Sequence, residues 1–67
     1  MIKIDGLKLS LALAKASMSA KELAEESGVS EVTITRFKTG TQKARPKTLG
    51  KISKVLGIRP EDLMSNK

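Results

Sequence analysis

Residues 19–40 read SAKELAEESGVSEVTITRFKTG, and they contain the clearest structural signals of the chain. Ser19 and Glu22 have the spacing of a capping box, which predicts a helix over about residues 20–26. Gly28 follows that helix, at a place where the chain must turn sharply and a residue that tolerates positive φ is needed. The stretch therefore begins with a short helix and a tight turn.

A second helix is predicted over about residues 30–38, because Ser30 is a favourable cap. Ile34 and Phe37 are three residues apart and Val29 precedes them, so we expect one face of this helix to be buried. The remaining residues are expected to lie largely outside: Glu31, Val32, Thr33, Thr35 and Arg36. Two short helices joined by a glycine turn form a helix-turn-helix unit, whose second helix can enter the major groove of DNA.

Two more helices are expected after this unit. Four residues make one apolar stripe at helical spacing: Leu49, Ile52, Val55 and Leu56. Gly57 is expected to end that helix, since glycine is favoured just after the last helical residue. Pro60 then suits the first turn of a short final helix that carries Leu63.

The segment before the unit has two competing interpretations. Alternating apolar residues around Asp5 and Gly6 are typical of a β-hairpin. Residues 7–16, however, are all Leu, Ala or Lys except for one serine, and this composition favours a helix over about Leu7–Ser17. Its inner face carries apolar residues at helical spacing: Leu9, Ala12, Leu13 and Ala16. The arm Met1–Ile4 is expected to be extended, and either covers the core or pairs with a second copy.

The amino end also has some features of a secretory signal, but Asp5 and Lys8 interrupt a short apolar run. No segment approaches the roughly 20 apolar residues of a membrane span. The expected location is therefore the cytoplasm, without a membrane partner.

A chain of 67 residues is expected to form one domain over residues 1–67, with an arm at 1–6 and a tail at 65–67. Cysteine and histidine are absent, which excludes disulfides and removes the usual residues of zinc sites and of thiol or imidazole catalysis. No enzyme activity, cofactor, metal or small-molecule substrate is expected. Phe37 is the single aromatic residue, so a base-stacking platform for single strands is also disfavoured.

The charge is concentrated in one segment. Residues 36–54 contain seven Lys or Arg and no acid, within a chain whose formal net charge is +6. This pattern favours a polyanion as the partner, although a solvated basic face that only aids solubility is the alternative.

The chain resembles the lambda-repressor-like family, also called the Xre or Cro family, over about residues 7–64. The resemblance is carried by residues 19–40, then RPKTLGKISKVLGI at 45–58 and EDLM at 61–64. Six positions match the twenty-residue pattern of bacterial helix-turn-helix repressors: Leu23, Ala24, Gly28, Val29, Ile34 and Phe37. Ser27 departs from it, because the pattern prefers an apolar residue there. The resemblance implies an all-α bundle of about five short helices that binds operator DNA, commonly as a homodimer, and acts as a transcriptional regulator of phage, plasmid or bacterial genes. We expect this regulator to be a repressor.

By family position, the outer residues of the second helix are expected to read bases: Glu31, Val32, Thr33, Thr35 and Arg36. Arg36 can donate to guanine O6 and N7, Val32 can contact a thymine methyl, and Glu31 can accept from cytosine N4. The alternatives are exposed residues that touch nothing at Thr35 and Arg36, and for Glu31 an acid favoured by the dipole of a helix first turn.

The DNA backbone is expected to contact residues at one helix start and in the basic loop: Ser19, Thr39, Gly40, Thr41, Lys43, Arg45 and Lys47. The alternative function is an antitoxin-type or other protein-interaction module of the same fold. Such a module would need an extra segment, and only Met1–Ile4 and Ser65–Lys67 are spare.

Overall fold

A computed structural model describes residues 1–66 of the chain. Its elements, in chain order, are α1 (Gly6–Lys15), α2 (Ala20–Ser27), α3 (Glu31–Thr39), α4 (Pro46–Leu56) and a 3-10 helix (Pro60–Leu63). The all-α prediction is confirmed, but the described residues form four α-helices, not about five. None of these helices, over residues 1–66, has the length and apolar character needed to cross a membrane.

The expected fifth helix is a single 3-10 turn. The N–H of Asp62 donates to the carbonyl of Arg59 at 2.9 Å, and the N–H of Met64 donates to that of Glu61 at 3.3 Å. Met64 then adopts an extended conformation and forms an isolated antiparallel bridge with Ile4. The turn cannot lengthen into an α-helix because pairing with the amino-terminal arm takes the chain out of the helical conformation.

The 3-10 helix is held at its start by Asp62. Its carboxylate accepts a hydrogen bond from the Arg59 guanidinium at 3.3 Å and from the Arg59 backbone N–H at 3.2 Å. These two bonds, the side-chain bond first, hold the pKa of the Asp62 carboxyl below its ordinary value. The interaction is exposed to solvent, so its contribution is to local geometry more than to global stability.

The helix predicted over Leu7–Ser17 is α1, which begins and ends slightly earlier. Asp5 caps it, accepting from the N–H groups of Leu7 at 2.9 Å and Lys8 at 3.1 Å. Asp5 and Gly6 are therefore a helix start and not a hairpin turn. The carboxyl end is closed because Ser17 takes a φ of 54° and the helix cannot continue through that conformation.

Gly6 has a structural role that its position in the sequence did not reveal. A Cβ atom at Gly6 would collide with the backbone carbonyl of Lys38, the next-to-last residue of α3. The absence of a side chain thus lets the start of α1 approach the end of α3. This close approach fixes α1 against the second helix of the helix-turn-helix unit.

The predicted caps of the helix-turn-helix unit are confirmed. The N–H of Glu22 donates to Ser19 Oγ at 3.1 Å, and the N–H of Ser19 donates to Glu22 Oε1 at 3.0 Å, which completes the capping box. Ser30 accepts from the N–H of Thr33 at 3.1 Å at the start of α3. Gly28 adopts a φ of 75° between the two helices, as the turn requires.

Ser27, the departure from the repressor pattern, is accommodated by hydrogen bonding. Its hydroxyl donates to the carbonyl of Leu23 at 2.6 Å and accepts from the N–H of Val29 at 3.2 Å. Both polar functions of the serine are therefore satisfied within the turn, and the hydroxyl ties α2 to the residue before α3.

One hydrophobic core joins all the elements. Its fully or almost fully buried members are Ile4, Leu9, Leu13, Leu23, Ile34, Phe37, Ala44, Leu49, Ile52, Leu56 and Leu63. Ala24 is partly buried and packs against this core, as do Ala12, Ala16 and Val55 of the predicted apolar faces. The stripes predicted for α1 and α4 are thus confirmed.

The amino-terminal arm covers the core. Ile2 and Ala44 exchange two backbone hydrogen bonds of 2.8 and 2.7 Å, and the side chain of Ile4 is only 2% exposed. The N–H of Ser65 donates to the carbonyl of Lys3 at 2.9 Å, so the expected tail begins with a residue bound to the arm. Of that expected tail, Lys67 lies outside the described residues.

Candidate nucleic-acid interface

The orientation of α3 follows from its buried face. Ile34 is fully buried and Phe37 is 1% exposed, and these two residues anchor the helix in the core. Because 3.6 residues make one turn, Thr35 and Arg36 then lie on the outer side together with Val32, which is 60% exposed. The helix-turn-helix unit therefore presents one face of α3 to solvent.

Four of the five residues predicted to read bases share one shallow depression of about 350 Å³ on this face: Glu31, Val32, Thr35 and Arg36. The group combines a carboxylate acceptor, a guanidinium with several donors and exposed methyl groups. These are the three chemistries that distinguish base edges in the major groove. The fifth residue, Thr33, is placed elsewhere.

Thr33 is turned toward the other side of α3, and its polar groups are engaged locally. Its hydroxyl accepts a hydrogen bond from Ser30 Oγ at 2.8 Å, and its backbone N–H donates to the same oxygen at 3.1 Å. Thr33 is half-buried and lines a second groove of about 350 Å³. Its cap interactions belong to the start of α3, separate from the four-residue depression.

This second groove, which we call the basic groove, runs between the turn before α3 and the start of α4. Two of its basic residues, Lys43 and Arg45, were predicted to contact the DNA backbone. The groove adds three polar residues that were not predicted to contact DNA: Gln42, Thr48 and Lys51. Lys51 belongs to the basic segment, but its position beside Lys43 depends on how α4 packs, so the sequence contained no signal for it.

The loop that follows α3 folds back on the end of that helix. The carbonyl of Arg36 accepts from the Thr41 N–H at 3.0 Å and from the hydroxyls of Thr39 at 3.2 Å and Thr41 at 3.4 Å. Gly40 permits this reversal with a φ of 76°. Thr39, Gly40 and Thr41 thus hold the basic loop against the exposed end of α3.

The basic segment is available to a partner. All seven of its cationic residues are exposed: Arg36, Lys38, Lys43, Arg45, Lys47, Lys51 and Lys54. Within residues 1–66, both ion pairs involve Arg59, which lies outside this segment. The seven charges are therefore not paired with carboxylates of the described chain and are available to a polyanion.

Arg45 and Lys47 flank the start of α4, where Pro46 is the first helical residue. Arg45 is the N-cap residue of that helix, and its side chain makes no capping hydrogen bond. Both side chains are exposed. A helix start between two cations favours contact with an anion on electrostatic grounds.

Ser19 lies at the start of α2, and its hydroxyl oxygen is already used as the cap acceptor. The hydroxyl proton remains available to donate, so the residue can cap its helix and contact an acceptor at the same time.

Among residues 1–66, no group of three or more Asp, Glu, His or Cys side chains lies close enough to hold a metal ion.

Comparison with known proteins agrees with this geometry. The family profile of Cro/C1-type helix-turn-helix DNA-binding domains matches residues 8–66. A comparison with curated protein sequences found no match.

Several solved structures share the fold, and three of them are compared with this chain. One is a protein from Bacteroides fragilis whose description as DNA-binding is provisional. It is 28% identical, with a TM-score of 0.77 over 87% of this chain and 94% of that one. The SOS-response transcriptional repressor LexA from Eubacterium rectale is 24% identical, with a TM-score of 0.79 over 92% of this chain and 66% of that one.

The third structure is the Streptomyces albus enzyme HEPD with 2-hydroxyethylphosphonate and Fe(II). It is 19% identical, with a TM-score of 0.79 over 92% of this chain, yet this chain spans only 14% of the enzyme. This likeness concerns the fold alone. Since the matched profile covers residues 8–66 and thus most of the chain, the chain belongs to the Cro/C1-type helix-turn-helix family of DNA-binding domains.

Proposed function

We propose that this protein is a transcriptional repressor that binds one operator sequence in double-stranded DNA, with α3 in the major groove. The observation that carries the proposal is the outer face of α3. It brings Glu31, Val32, Thr35 and Arg36 into one depression, and the other six cations of residues 36–54 are also exposed and have no carboxylate partner within residues 1–66. The repressor role is supported by the likeness to the LexA repressor and by the lambda-repressor-like pattern of residues 19–40.

The residues divide into two groups by what they contact. Arg36 reads a guanine, Val32 lies against a thymine methyl and Glu31 accepts from a cytosine amino group. Thr35 approaches the same base edges. Thr33, next to the basic groove, contacts the sugar-phosphate backbone or an adjacent base from the side of that groove.

The backbone contacts come from the start of α2 and from the loop between α3 and α4. Their residues are Ser19, Thr39, Gly40, Thr41, Lys43, Arg45 and Lys47. Such contacts set the position of the protein on DNA but carry no base preference. They account for the salt-dependent part of the affinity.

The protein binds as a homodimer, because one short helix reads too few base pairs to specify an operator in a genome. The two half-sites are expected to lie about 34–36 Å apart, close to one turn of the double helix. Footprinting on a site selected from random duplexes tests this, with the mass of the complex measured in parallel. A single protected half-site with one chain bound would contradict the dimer.

Alanine substitutions test the division between base and backbone contacts. Arg36→Ala should weaken binding to the selected operator by about 1–3 kcal/mol and relax the preference at one base pair, with much less effect on a scrambled duplex. Lys43→Ala should weaken both duplexes alike and lower the salt slope by about 1. Lys3→Ala removes the same charge from an exposed position outside the basic segment and is the matched control.

Affinities are measured on both duplexes over a salt series. If Arg36→Ala weakens the operator and the scrambled duplex equally, the assignment of α3 as the reading helix is wrong. If no variant differs from the parent, the basic segment is only a solvated face, and the antitoxin-type alternative becomes the better explanation.

A further inference from the structure

The outer side of α1 carries an apolar stripe that the core does not use. Leu7 is 69% exposed and Leu11 is 60% exposed, one helical turn apart, and Ala14 continues the row on the exposed side. Met64 is 37% exposed and lies at the same end as Leu7, because the Nζ of Lys8 donates to the Met64 carbonyl at 3.2 Å. We call these four residues the α1 patch.

The α1 patch holds most of the exposed large apolar surface of the described chain. Five large apolar side chains are exposed within residues 1–66: Met1, Leu7, Leu11, Val32 and Met64. Val32 lies in the depression on α3 and Met1 borders the basic groove, so both already belong to the candidate DNA interface. The other three lie together on the α1 patch, and grouped apolar side chains mark an interaction surface more often than scattered ones do.

We propose that the α1 patch is the surface through which two copies of this chain associate, with the two α1 helices antiparallel across a two-fold axis. The purpose of this contact rests on the homodimer of the proposed function, but its existence does not require DNA. In this arrangement Leu11 contacts Leu11 of the second copy near the axis, because it lies near the middle of the row. Leu7 of one copy then packs against Ala14 of the other, so a large side chain faces a small one.

The segments considered from sequence for self-association are already occupied within one chain. Ile2 is paired with Ala44 and Ile4 is buried, so the arm covers its own core. Leu63 of the 3-10 helix is fully buried. A second copy must therefore meet another surface, and the α1 patch is the apolar one outside the candidate DNA interface.

The charges around the α1 patch do not oppose a second copy on this surface. Two chains that each carry +6 repel one another most strongly where the seven cations of residues 36–54 come together. The end of the α1 patch near Leu7 has charges of both signs close by: Lys3, Lys8, Arg59, Asp5, Glu61 and Asp62. Antiparallel pairing brings Lys15, at the far end of α1, toward that mixed end of the other copy.

The size of the α1 patch indicates a weak dimer. A stable interface buries about 800 Å² on each partner, which is more than three partly exposed large side chains provide. The free chain is therefore expected to dimerise only at high concentration. An operator with two half-sites would hold two copies side by side and strengthen the contact by raising their effective concentration.

Sedimentation equilibrium without DNA tests the contact at chain concentrations up to about 1 mM. Even a weak protein interface gives a measurable fraction of dimer at that concentration. The parent is expected to form dimers, and Leu11→Ser is expected to raise the dissociation constant at least tenfold. Val32→Ser, which removes an equally exposed apolar side chain away from the α1 patch, is the matched control and should leave the dissociation constant unchanged. A parent that stays monomeric, or a dimer equally sensitive to both substitutions, would overturn the proposal.

A second variant tests the geometry by gain of a bond. The chain has no cysteine, so Leu11→Cys introduces a single thiol that is expected to lie near the two-fold axis. Oxidised glutathione should convert this variant to a disulfide-linked dimer much faster than Val32→Cys at the same concentration. Equal rates for the two variants would contradict the antiparallel α1 contact. DNA binding by monomeric variants is measured separately. Absence of a dimer without DNA would contradict the α1 contact, whereas absence of operator binding would contradict the proposed function.

Discussion

The helix-turn-helix segment, residues 19–40, and the amino-terminal arm, residues 1–5, are held in place in different ways. In the first, the hydrogen bonds that define the helix ends join near neighbours, such as Ser19 with Glu22 and Ser30 with Thr33. In the second, the bonds join residues that are far apart in the chain, such as Ile2 with Ala44 and Lys3 with Ser65. Local hydrogen bonds make the structure of a segment predictable from its own sequence. Long-range hydrogen bonds determine where that segment packs in the fold.

The two regions nevertheless meet in one core. Phe37 of the helix-turn-helix segment and Ile4 of the arm belong to the same buried cluster. The position of α3 therefore depends on the arm as well as on its own caps. Four predictions test how far this dependence goes, from the largest expected loss of stability to the smallest.

Phe37→Ala should lower the free energy of unfolding by about 3–5 kcal/mol, because it removes a buried aromatic ring and leaves a cavity. In a chain of 67 residues this loss approaches the total stability. Urea denaturation followed by circular dichroism measures it. Thr35→Ala on the exposed side of the same helix should stay within about 0.5 kcal/mol of the parent. Similar values for the two variants would mean that the buried face of α3 has been misassigned.

Ile4→Ala should cost about 2–5 kcal/mol, because Ile4 is buried in the core although it lies outside every helix. Lys3→Ala changes an exposed neighbour and is the control. The same denaturation experiment checks both. An Ile4→Ala variant as stable as the parent would show that the arm does not cover the core in solution, and that it is free to pair with a second copy.

Gly6→Ala and Gly50→Ala should shift stability in opposite directions. A methyl group at Gly6 meets the carbonyl of Lys38, so we expect a loss of about 1–3 kcal/mol from forced separation of α1 and α3. At Gly50, within α4, nothing lies within 4 Å of the new methyl, and alanine should stabilise the helix by about 0.5–1 kcal/mol. Thermal melts of both variants measure the difference. If Gly6→Ala also stabilises, the close approach of the two helices is not present in solution.

Ser30→Ala should cause the smallest of the four expected losses of stability, about 0.5–2 kcal/mol, because it removes only the cap of α3. The variant also frees the Thr33 hydroxyl, which accepts from Ser30 in the parent. Amide hydrogen exchange at the first turn of α3 is the sensitive measurement. The substitution should lower the protection of these amides more than it lowers the protection of the Phe37 amide. Unchanged exchange at Thr33 would contradict the local nature of the helix-turn-helix caps.

The elements that sequence patterns predicted correctly are those with local causes. Ser19, Gly28 and Ser30 act within three or four residues of themselves, so their neighbours in the chain are sufficient to assign their roles. The apolar stripes of α1 and α4 were also predictable, since helical spacing alone defines them. In the candidate interface, the same periodicity indicated that Val32, Thr35 and Arg36 lie opposite the buried residues.

The features that the sequence did not predict each depend on contact between segments that are far apart in the chain. The 3-10 turn replaced a fifth helix because Met64 pairs with Ile4. Thr33 was grouped with the other outer residues of α3, but the loop and α4 enclose it on the side of the basic groove. Lys51 joins that groove for the same reason.

The order of amino acids in residues 19–40 is enough to establish the helix-turn-helix unit and the outer face of α3, because caps, a positive-φ glycine and helical periodicity act over one or two turns. The concentration of positive charge in residues 36–54 likewise needs no structure to be seen. Tertiary packing alone determined that α1 approaches α3 closely at Gly6 and that the arm covers the core. It also determined that the side chains of Leu7 and Leu11 remain exposed. Those outcomes depend on which helix faces meet, and the local pattern of the chain does not contain that information.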